Sequence, residues 1–309
     1  MAEKTKIQWA DHTFNPWWGC TRVSPACTHC YAESLARRFK PGTWGASAER
    51  AMASESQWAQ PREWNARAQK ARARTKEGYR RPRVFCASMS DVFEELHEEH
   101  PQRQQLADAR HRLWGLIAET PQLDWMLLTK RPQNIDGSGL PKLRNIWLGT
   151  TVENYAAYEA RVPHLLQVEG PYVKFLSCEP MLEAMTMVGE DLQKLDWVIA
   201  GGESGPGARP MHPDWLRCLK AQCQAYDIPF FFKQWGAWAP VDQVPKLNGA
   251  KVKLSEVAFV PIGYQGFKDE TLPVDGSNFV KMVRLGAKKT EAMLDGKAHR
   301  SFPRQIRLC

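Results

Sequence analysis

The chain lacks any apolar run long enough to cross a bilayer, and its first residues, MAEKTKIQWADH, lack the apolar stretch of a secretion signal. It also lacks the polar bias of a disordered chain, since 43% of its 309 residues are hydrophobic and 25% are charged. We therefore expect one large or two small folded domains, in a protein that stays in the cytoplasm and makes no contact with a membrane.

Cysteines are few and unevenly placed. Of the eight in the chain, Cys20, Cys27 and Cys30 fall within eleven positions and have no fourth cysteine beside them. A reducing cytoplasm excludes a disulfide framework and favours a metal-binding or catalytic role for a tight cluster. The other five are scattered, as is typical of small buried hydrophobic residues: Cys86, Cys178, Cys218, Cys223 and Cys309.

The absence of a fourth cysteine helps to decide which of two kinds of metal site the three cysteines form. Structural zinc takes four closed ligands; His29 would strain the short spacer in which it lies, and His12 is a freer candidate. An iron–sulfur cluster held by three thiolates leaves one iron open for a substrate or cofactor. The cysteines therefore favour an open cluster, with structural zinc as the alternative.

Short apolar runs without polar alternation recur along the chain, which is typical of strands buried on both faces. The first is KIQWADHTF at 6–14, and the others lie at 83–91, 124–132, 145–154, 173–181, 196–205 and 229–236. Segments with helical spacing lie between them, for example RQQLADARHRLWGLIAE. The pattern predicts an α/β fold with a parallel sheet that curls into a partial (β/α) barrel.

Polar residues, and in one case two glycines, follow the predicted strands. In a parallel barrel the carboxyl ends of the strands face the active site, so we expect these residues to share one edge. They are Ser88, Ser90, Asp91, Thr129, Lys130, Arg131, Thr150, Thr151, Glu153, Asn154, Ser177, Glu179, Gly201, Gly202, Glu203, Ser204, Lys233 and Gln234. Any one of them alone is also consistent with a plain loop.

Positive charge exceeds negative charge by eight, and the pI is near 9.1. Much of the excess positive charge lies between Arg62 and Arg83. These residues are part of the stretch PREWNARAQKARARTKEGYRRPR, residues 61–83. An anionic partner such as nucleic acid would use these side chains for phosphate contacts. The alternative is a solvated helix face followed by a loop.

A set of motifs in fixed order resembles a known family. They are WADHTFNPWWGC, CTHCYAE, SMSDVF, LLTKRP, LGTTVEN, FLSCEPM, AGGESGPGARP, FFFKQWG and LDGKAHRSFP. The chain resembles the radical S-adenosylmethionine (radical SAM) superfamily and, more narrowly, the phage Gp37/Gp68 family of three-Cys-motif proteins. It departs from the superfamily in having six residues between Cys20 and Cys27 and in having His29, not an aromatic residue, before Cys30.

The resemblance implies a [4Fe-4S] cluster on Cys20, Cys27 and Cys30, with S-adenosyl-L-methionine chelated at the open iron. By position it assigns the methionine amino group to Ser88, Ser90 and Asp91. Gly201, Gly202 and Glu203 are assigned to adenine or substrate. Ribose, methionine or substrate contacts are assigned to Thr151, Glu153, Asn154, Ser177 and Glu179. Lys130, Arg131 and Lys233 are assigned to an anionic group, and Lys130 and Glu179 are counted as catalytic.

The implied reaction begins with reductive cleavage of S-adenosylmethionine and uses the 5′-deoxyadenosyl radical to modify, rearrange or repair a base. The predicted substrate is DNA, such as a hypermodified thymidine of a phage, in the host cytoplasm if the chain is phage-encoded. The enzyme would be an isomerase, lyase or base-modifying transferase with an electron donor such as flavodoxin or ferredoxin. Two alternatives are a radical SAM enzyme on a peptide or small molecule and a non-enzymatic, zinc-containing nucleic-acid-binding protein.

The domain prediction places a radical SAM-like partial barrel at 1–240, with a basic insertion at about 34–83. Residues 241–309 are predicted to form a small C-terminal α+β extension or lid, because strand-like and helical pieces alternate there with turn residues.

Overall fold

The structure is a computed structural model that describes residues 3–75, 77–244, 257–261, 279–286 and 292–303. The strands are β1 (His12–Thr13), β2 (Trp17–Trp18), β3 (Ala51–Met52), β4 (Arg83–Cys86), β5 (Asp124–Thr129), β6 (Ile146–Thr151), β7 (Val173–Cys178), β8 (Trp197–Gly201), β9 (Phe230–Gln234), β10 (Trp238–Pro240), β11 (Val257–Pro261) and β12 (Phe279–Arg284). The helices are α1 (Tyr31–Phe39), α2 (Glu55–Arg74), α3 (Arg103–Glu119), α4 (Tyr155–Gln167), α5 (Gly189–Leu192) and α6 (Pro213–Ala225). Among these described helices, none combines the length and the apolar character that a bilayer crossing needs.

The main sheet has seven strands in the order β1-β4-β5-β6-β7-β8-β9, and every neighbouring pair is parallel. It curls into a partial barrel, as predicted from the unalternated apolar runs. The first strand is much shorter than the predicted 6–14. The chain turns before it, with hydrogen bonds from the Ala10 amide to the Ile7 carbonyl and from the Thr5 amide to the Asp11 carbonyl.

Helices cover the outer face of the sheet and begin at recognisable caps. Ser54 and Gln57 form a capping box at the start of α2. The Asn154 side chain accepts a hydrogen bond from the Ala157 amide, 2.9 Å away, and so caps α4. The main hydrophobic core lies between these helices and the sheet, and Trp58 and Trp64 of α2 are buried in it.

The concave face of the sheet holds a second, largely aromatic core. Its buried members are Trp9, Phe85, Met126, Trp147, Val173, Phe175, Trp197, Ile199 and Phe231. Phe302 packs on Trp197 and Phe231 at ring distances of 5.2 and 5.1 Å, and the Arg83 guanidinium lies 3.8 Å from the Phe302 ring centre. The interior of the partial barrel is therefore filled by side chains and is not a pore.

The region after the barrel contains a three-stranded antiparallel sheet in the order β10-β12-β11. A short hairpin at Leu294–Lys297 is tied to α6 by the ion pair between Arg217 and Asp295. Most of the remaining predicted extension, including its helical pieces, lies outside the described residues.

The predicted basic insertion contains most of α1, all of α2, and β3, which pairs antiparallel with the earlier strand β2. Many of its arginines are already paired. Arg62 contacts Glu119, Arg67 contacts Glu3, and Arg80 contacts Asp11. Arg81 pairs with buried Asp124, and Arg83 stacks on Phe302. These contacts favour a mainly structural role for the 80–83 end of the segment.

Candidate functional site

A cavity of about 250 Å³ opens at the carboxyl edge of the parallel sheet. It is lined by the segment that carries the three cysteines, residues 19–30 and here termed the cysteine loop, and by the ends of β4 to β9. Most of the predicted site residues line it, namely Cys20, Cys27, Cys30, Ser88, Ser90, Asp91, Lys130, Thr151, Ser177, Glu179, Gly202 and Glu203. The cavity thus lies where a parallel barrel places its active site.

The three cysteines are free thiols, each partly buried. Cys27 ends a 3-10 helix at Pro25–Cys27, and Cys30 is the residue before α1. In the part of the chain that the structure describes, no three His, Cys, Asp or Glu side chains lie close enough together to hold a metal ion as they stand. Thiolates are ligands for zinc and for iron–sulfur clusters alike, and three of them without a fourth would leave one iron of a cluster open.

A buried network of charges lies against Cys20. The Arg131 guanidinium is 3.7 Å from the Cys20 sulfur and 3.0 Å from Asp91, and it also donates to Glu94. Glu94 in turn pairs with Arg50 at 2.9 Å. The wall of the cavity behind Cys20 is therefore rigid and charged.

Burial is the main influence on the Cys20 thiol. Together with the Glu94 carboxylate it raises the Cys20 pKa to about 12, and Arg131 opposes this change. Burial also lowers the pKa of Arg131, but Asp91, Cys20 and Glu94 outweigh it and leave that pKa above its ordinary value. Arg131 therefore remains charged, and Cys20 loses its proton only when something compensates the thiolate.

Ser88, Ser90 and Asp91, to which we assign the methionine amino group, differ in availability. Asp91 accepts hydrogen bonds from Thr129, the Lys130 amide and Arg131. Ser88 is hydrogen-bonded to Asn15 through its side chain. The Ser90 hydroxyl is buried and has no hydrogen-bond partner among the described residues. Of the three, Ser90 is the side chain whose polar atom is free for a ligand.

On the opposite wall, Glu179 pairs with Lys233 at 3.1 Å through one carboxylate oxygen. The other oxygen is buried without a partner in the described structure. A Cβ atom at Gly201 would lie 2.8 Å from that oxygen, so Gly201 does not line the cavity but leaves room for Glu179. Lys130 lines the cavity and its ammonium group forms no ion pair with any described residue.

Besides Gly201, two predicted site residues do not line the cavity. Glu153 is fully buried and pairs with Arg161 at 2.7 Å, which also binds the Thr151 carbonyl. Asn154 caps α4. Neither lines the cavity, so the structure gives both a role in fixing the β6–α4 connection.

The loop after β8 packs on the cysteine loop. Arg209 binds the Glu203 carboxylate through two nitrogens, at 2.6 and 2.9 Å, and donates to the Pro25 carbonyl at 3.0 Å. A Cβ atom at Gly207 would lie 2.3 Å from the His29 ring, so His29 is held against this loop. His12, the other candidate ligand, stacks on Trp64 with ring centres 4.4 Å apart and does not line the cavity.

Sequence reasoning missed Arg50, Glu94 and Arg209. Their partners lie far along the chain, and no local spacing connects Arg50 to Glu94 or Arg209 to Pro25. The one available signal was the position of Arg209 shortly after Glu203 in the motif AGGESGPGARP, where a short loop brings opposite charges together. Trp44, one of the tryptophans near the cysteines, lines the cavity, whereas Trp17 is fully buried.

The carboxyl end of β8 depends on glycine. A Cβ atom at Gly202 would lie 2.0 Å from the Trp235 carbonyl oxygen, which is backbone and cannot move aside cheaply. We expect Gly202→Ala to lower the free energy of unfolding by about 1–3 kcal/mol, as overpacking does. Urea denaturation followed by circular dichroism measures it.

Gly115→Ala is the matched control for Gly202→Ala. Gly115 lies in α3 with open space around its Cα, so alanine there is expected to stabilise the protein by about 0.5–1 kcal/mol. Equal stability of the two variants would show that the close approach of the backbone segments after β8 and β9 does not require glycine at position 202.

Fold and site together define a partial (β/α) barrel protein with a three-cysteine cavity at the carboxyl edge of its sheet. The chain belongs to the family described as "Protein of unknown function (DUF5131)", whose model matches residues 4–303. That description names neither a phage nor an activity, so the narrower resemblance to the phage Gp37/Gp68 family stays a prediction.

No curated protein matches the chain. Among solved structures, the chain is similar to a cysteine-to-serine variant of spore photoproduct lyase, with 12% identity, a TM-score of 0.42 and coverage of 92% of this chain and 71% of that chain. It is also similar to a cysteine-to-alanine variant of the same lyase with dinucleoside spore photoproduct. There the identity is 11%, the TM-score is 0.43, and the coverage is 91% of this chain and 70% of that chain.

Proposed function

We propose that this protein is a radical SAM enzyme in which Cys20, Cys27 and Cys30 hold a [4Fe-4S] cluster. The observation that carries the proposal is that three free thiols line one wall of a cavity at the carboxyl edge of a parallel partial barrel. When bound, the cluster supplies an open iron for S-adenosylmethionine and the electron that cleaves it reductively.

The chain's own residues would orient the cofactor and substrate. The unpartnered Ser90 hydroxyl is suited to the methionine amino group, and the unpaired Lys130 ammonium to a carboxylate or phosphate. Thr151, Ser177 and Gly202 on the far wall offer hydroxyl and backbone groups to the nucleoside part. We keep Lys130 and Glu179 as the candidates for contact with the reacting substrate.

Glu179 is suited to hold a hydrogen-bonding group of the substrate. Lys233 fixes one of its oxygens and Gly201 makes room for the other, which has no partner among the described residues. The Glu179 side chain lines the cavity and is 12% exposed, so a substrate in the cavity can reach it. A substrate N–H or O–H donor would therefore be held in one orientation.

The proposed substrate is a nucleic-acid base, and DNA is the form we favour. Tyr31, Leu35 and Phe39 recur every four residues on α1 and are exposed, forming an apolar stripe that starts at the cavity mouth. The Arg38 guanidinium lies 5.1 Å from the Phe39 ring centre. Aromatic surfaces beside basic side chains are what single-stranded nucleic acid uses for stacking and phosphate contacts.

Electron paramagnetic resonance tests the radical SAM proposal. The full chain is reconstituted with iron and sulfide without oxygen, reduced with dithionite, and measured with and without S-adenosylmethionine. We expect a signal of a reduced cluster that changes when S-adenosylmethionine is added. A preparation that holds zinc and forms no cluster would contradict the proposal and favour a non-enzymatic zinc protein.

Fluorescence anisotropy with labelled single-stranded DNA tests the substrate class. We expect the double variant Arg38→Gln, Phe39→Ala to bind about tenfold or more weakly, because one stacked base contributes about 1–3 kcal/mol. The matched control is Lys70→Gln, Arg74→Gln, which removes two exposed charges on α2. A larger loss in the control would move the nucleic-acid surface to α2, and no binding at low salt would leave a peptide or small-molecule substrate.

A further inference from the structure

We infer that Arg131 is a positioning residue that raises the reduction potential of the cluster through the Cys20 sulfur. This inference rests on the proposed function, because it concerns the group that Cys20 would hold. It gives a different and more specific task to a residue that the family resemblance assigned to an anionic group.

The Arg131 guanidinium is fixed on several sides. One terminal nitrogen lies 3.7 Å from the Cys20 sulfur and 3.0 Å from an Asp91 oxygen. The other lies 2.9 Å from the Thr21 carbonyl oxygen and 3.4 Å from a Glu94 oxygen. The N–H group that points at the sulfur is therefore held in place before anything binds there.

The charges around Arg131 are balanced within the buried network. Arg131 and Arg50 carry two positive charges, and Asp91 and Glu94 carry two negative charges. Arg50 is fully buried and donates further hydrogen bonds to the Thr21 hydroxyl and to the Gly45 and Ala48 carbonyls. Because Asp91 and Glu94 satisfy Arg131, its contact with Cys20 is an additional one and not its main anchor.

The three cysteines are not equivalent in this respect. The Cys27 sulfur lies 3.9 Å from the Ser24 hydroxyl, a neutral and weak partner. Among the described contacts, only Cys20 has a charged N–H donor at its sulfur. Among the described residues, a direct charged hydrogen bond thus reaches Cys20 alone, whereas the half-exposed Arg22 charge acts on Cys27 and Cys30 without a hydrogen bond.

The direction of the effect follows from charge. Reduction adds one negative charge to a cluster, and a nearby N–H donor with positive charge stabilises the more negative state. Removing the donor therefore makes reduction harder and shifts the potential to more negative values. With the Arg131 guanidinium in place, a weaker reductant is sufficient to reduce the cluster.

The test is a redox titration of the full-length reconstituted protein, followed by the signal of the reduced cluster. We expect Arg131→Gln to shift the midpoint potential to a more negative value at unchanged iron content. Arg131→Lys keeps the charge but loses the planar fork that holds the N–H in place, so a smaller shift in the same direction is expected. Arg62→Gln is the control, since Arg62 is half exposed, pairs with Glu119 and does not line the cavity.

The outcomes separate this inference from the proposed function. A wild-type protein that forms no cluster overturns both. A cluster that forms in the wild type and titrates at the same potential in Arg131→Gln overturns the inference and leaves the proposed function standing. If Arg131→Gln does not fold, Arg131→Lys decides: a shifted potential supports the inference, and an unchanged one overturns it.

Discussion

Replacing Arg50 by alanine is expected to lower the free energy of unfolding by about 3–5 kcal/mol, the cost of removing one partner of a buried ion pair. The Arg50 side chain is 0% exposed and that of its partner Glu94 is 1% exposed. The substitution leaves a buried carboxylate with only the longer contact to Arg131, at 3.4 Å. It also leaves the Ala48 carbonyl without its described donor and the Gly45 carbonyl with the Ala48 amide alone. Urea denaturation measures the difference.

Arg112→Ala is the control for the Arg50 variant. Arg112 binds Glu55 through two nitrogens, but its side chain is 41% exposed and that of Glu55 is 80% exposed. An exposed pair contributes little, because water and salt screen both charges, so we expect a much smaller loss than in the Arg50 variant. The Arg112 guanidinium also lies 4.5 Å from the Trp58 ring centre, and that contact is lost as well. Similar losses in the two variants would mean that the network behind Cys20 does not support the fold.

Replacing Cys20, Cys27 or Cys30 singly by alanine is expected to abolish cluster assembly and S-adenosylmethionine cleavage. Loss of a residue that hydrogen-bonds to a metal ligand lowers metal affinity roughly 10–100-fold, and loss of a ligand itself lowers it further. Iron content and the visible absorbance of the reconstituted protein measure the first effect, and formation of 5′-deoxyadenosine measures the second. Cleavage at the wild-type rate in any of the three variants would exclude that cysteine as a ligand.

Cys218→Ala is the control for the cysteine variants. Cys218 is an exposed thiol on α6 and does not line the cavity. We expect its removal to leave iron content and cleavage unchanged. A parallel loss of iron in this variant would mean that iron is bound nonspecifically by accessible thiols.

The parallel partial barrel and the place of the cavity could be predicted from the sequence. Apolar runs such as DWMLLT and VKFLSC are read as buried parallel strands because no polar residue alternates within them. Parallel strands bring their carboxyl ends to one edge of the sheet. That Lys130, Ser177 and Glu179 line the same cavity could therefore be predicted without side-chain geometry.

Which polar side chains are paired within the protein and which are free for a ligand could not be predicted, because their partners are distant in the chain. Asp91 and Ser90 are neighbours, yet four groups donate to the Asp91 carboxylate and no described residue is hydrogen-bonded to the Ser90 hydroxyl. Glu153 was expected to contact a ligand and instead forms a buried pair with Arg161. The same limit applies to the arginines of residues 62–83, several of which pair with acidic residues of other elements.

The segment at 299–302 binds both the edge and the interior of the partial barrel. The Phe232 amide donates to the His299 carbonyl and the Ser301 amide to the Phe230 carbonyl, so backbone groups of the edge strand β9 are covered. Phe302 also joins a cluster that contains Trp9, from the opposite end of the chain. Until that segment docks, the nascent protein has an open strand edge and an aromatic face, the two features that promote aggregation. The chain therefore depends on very long-range contacts to complete its native state, and contacts of this kind slow folding.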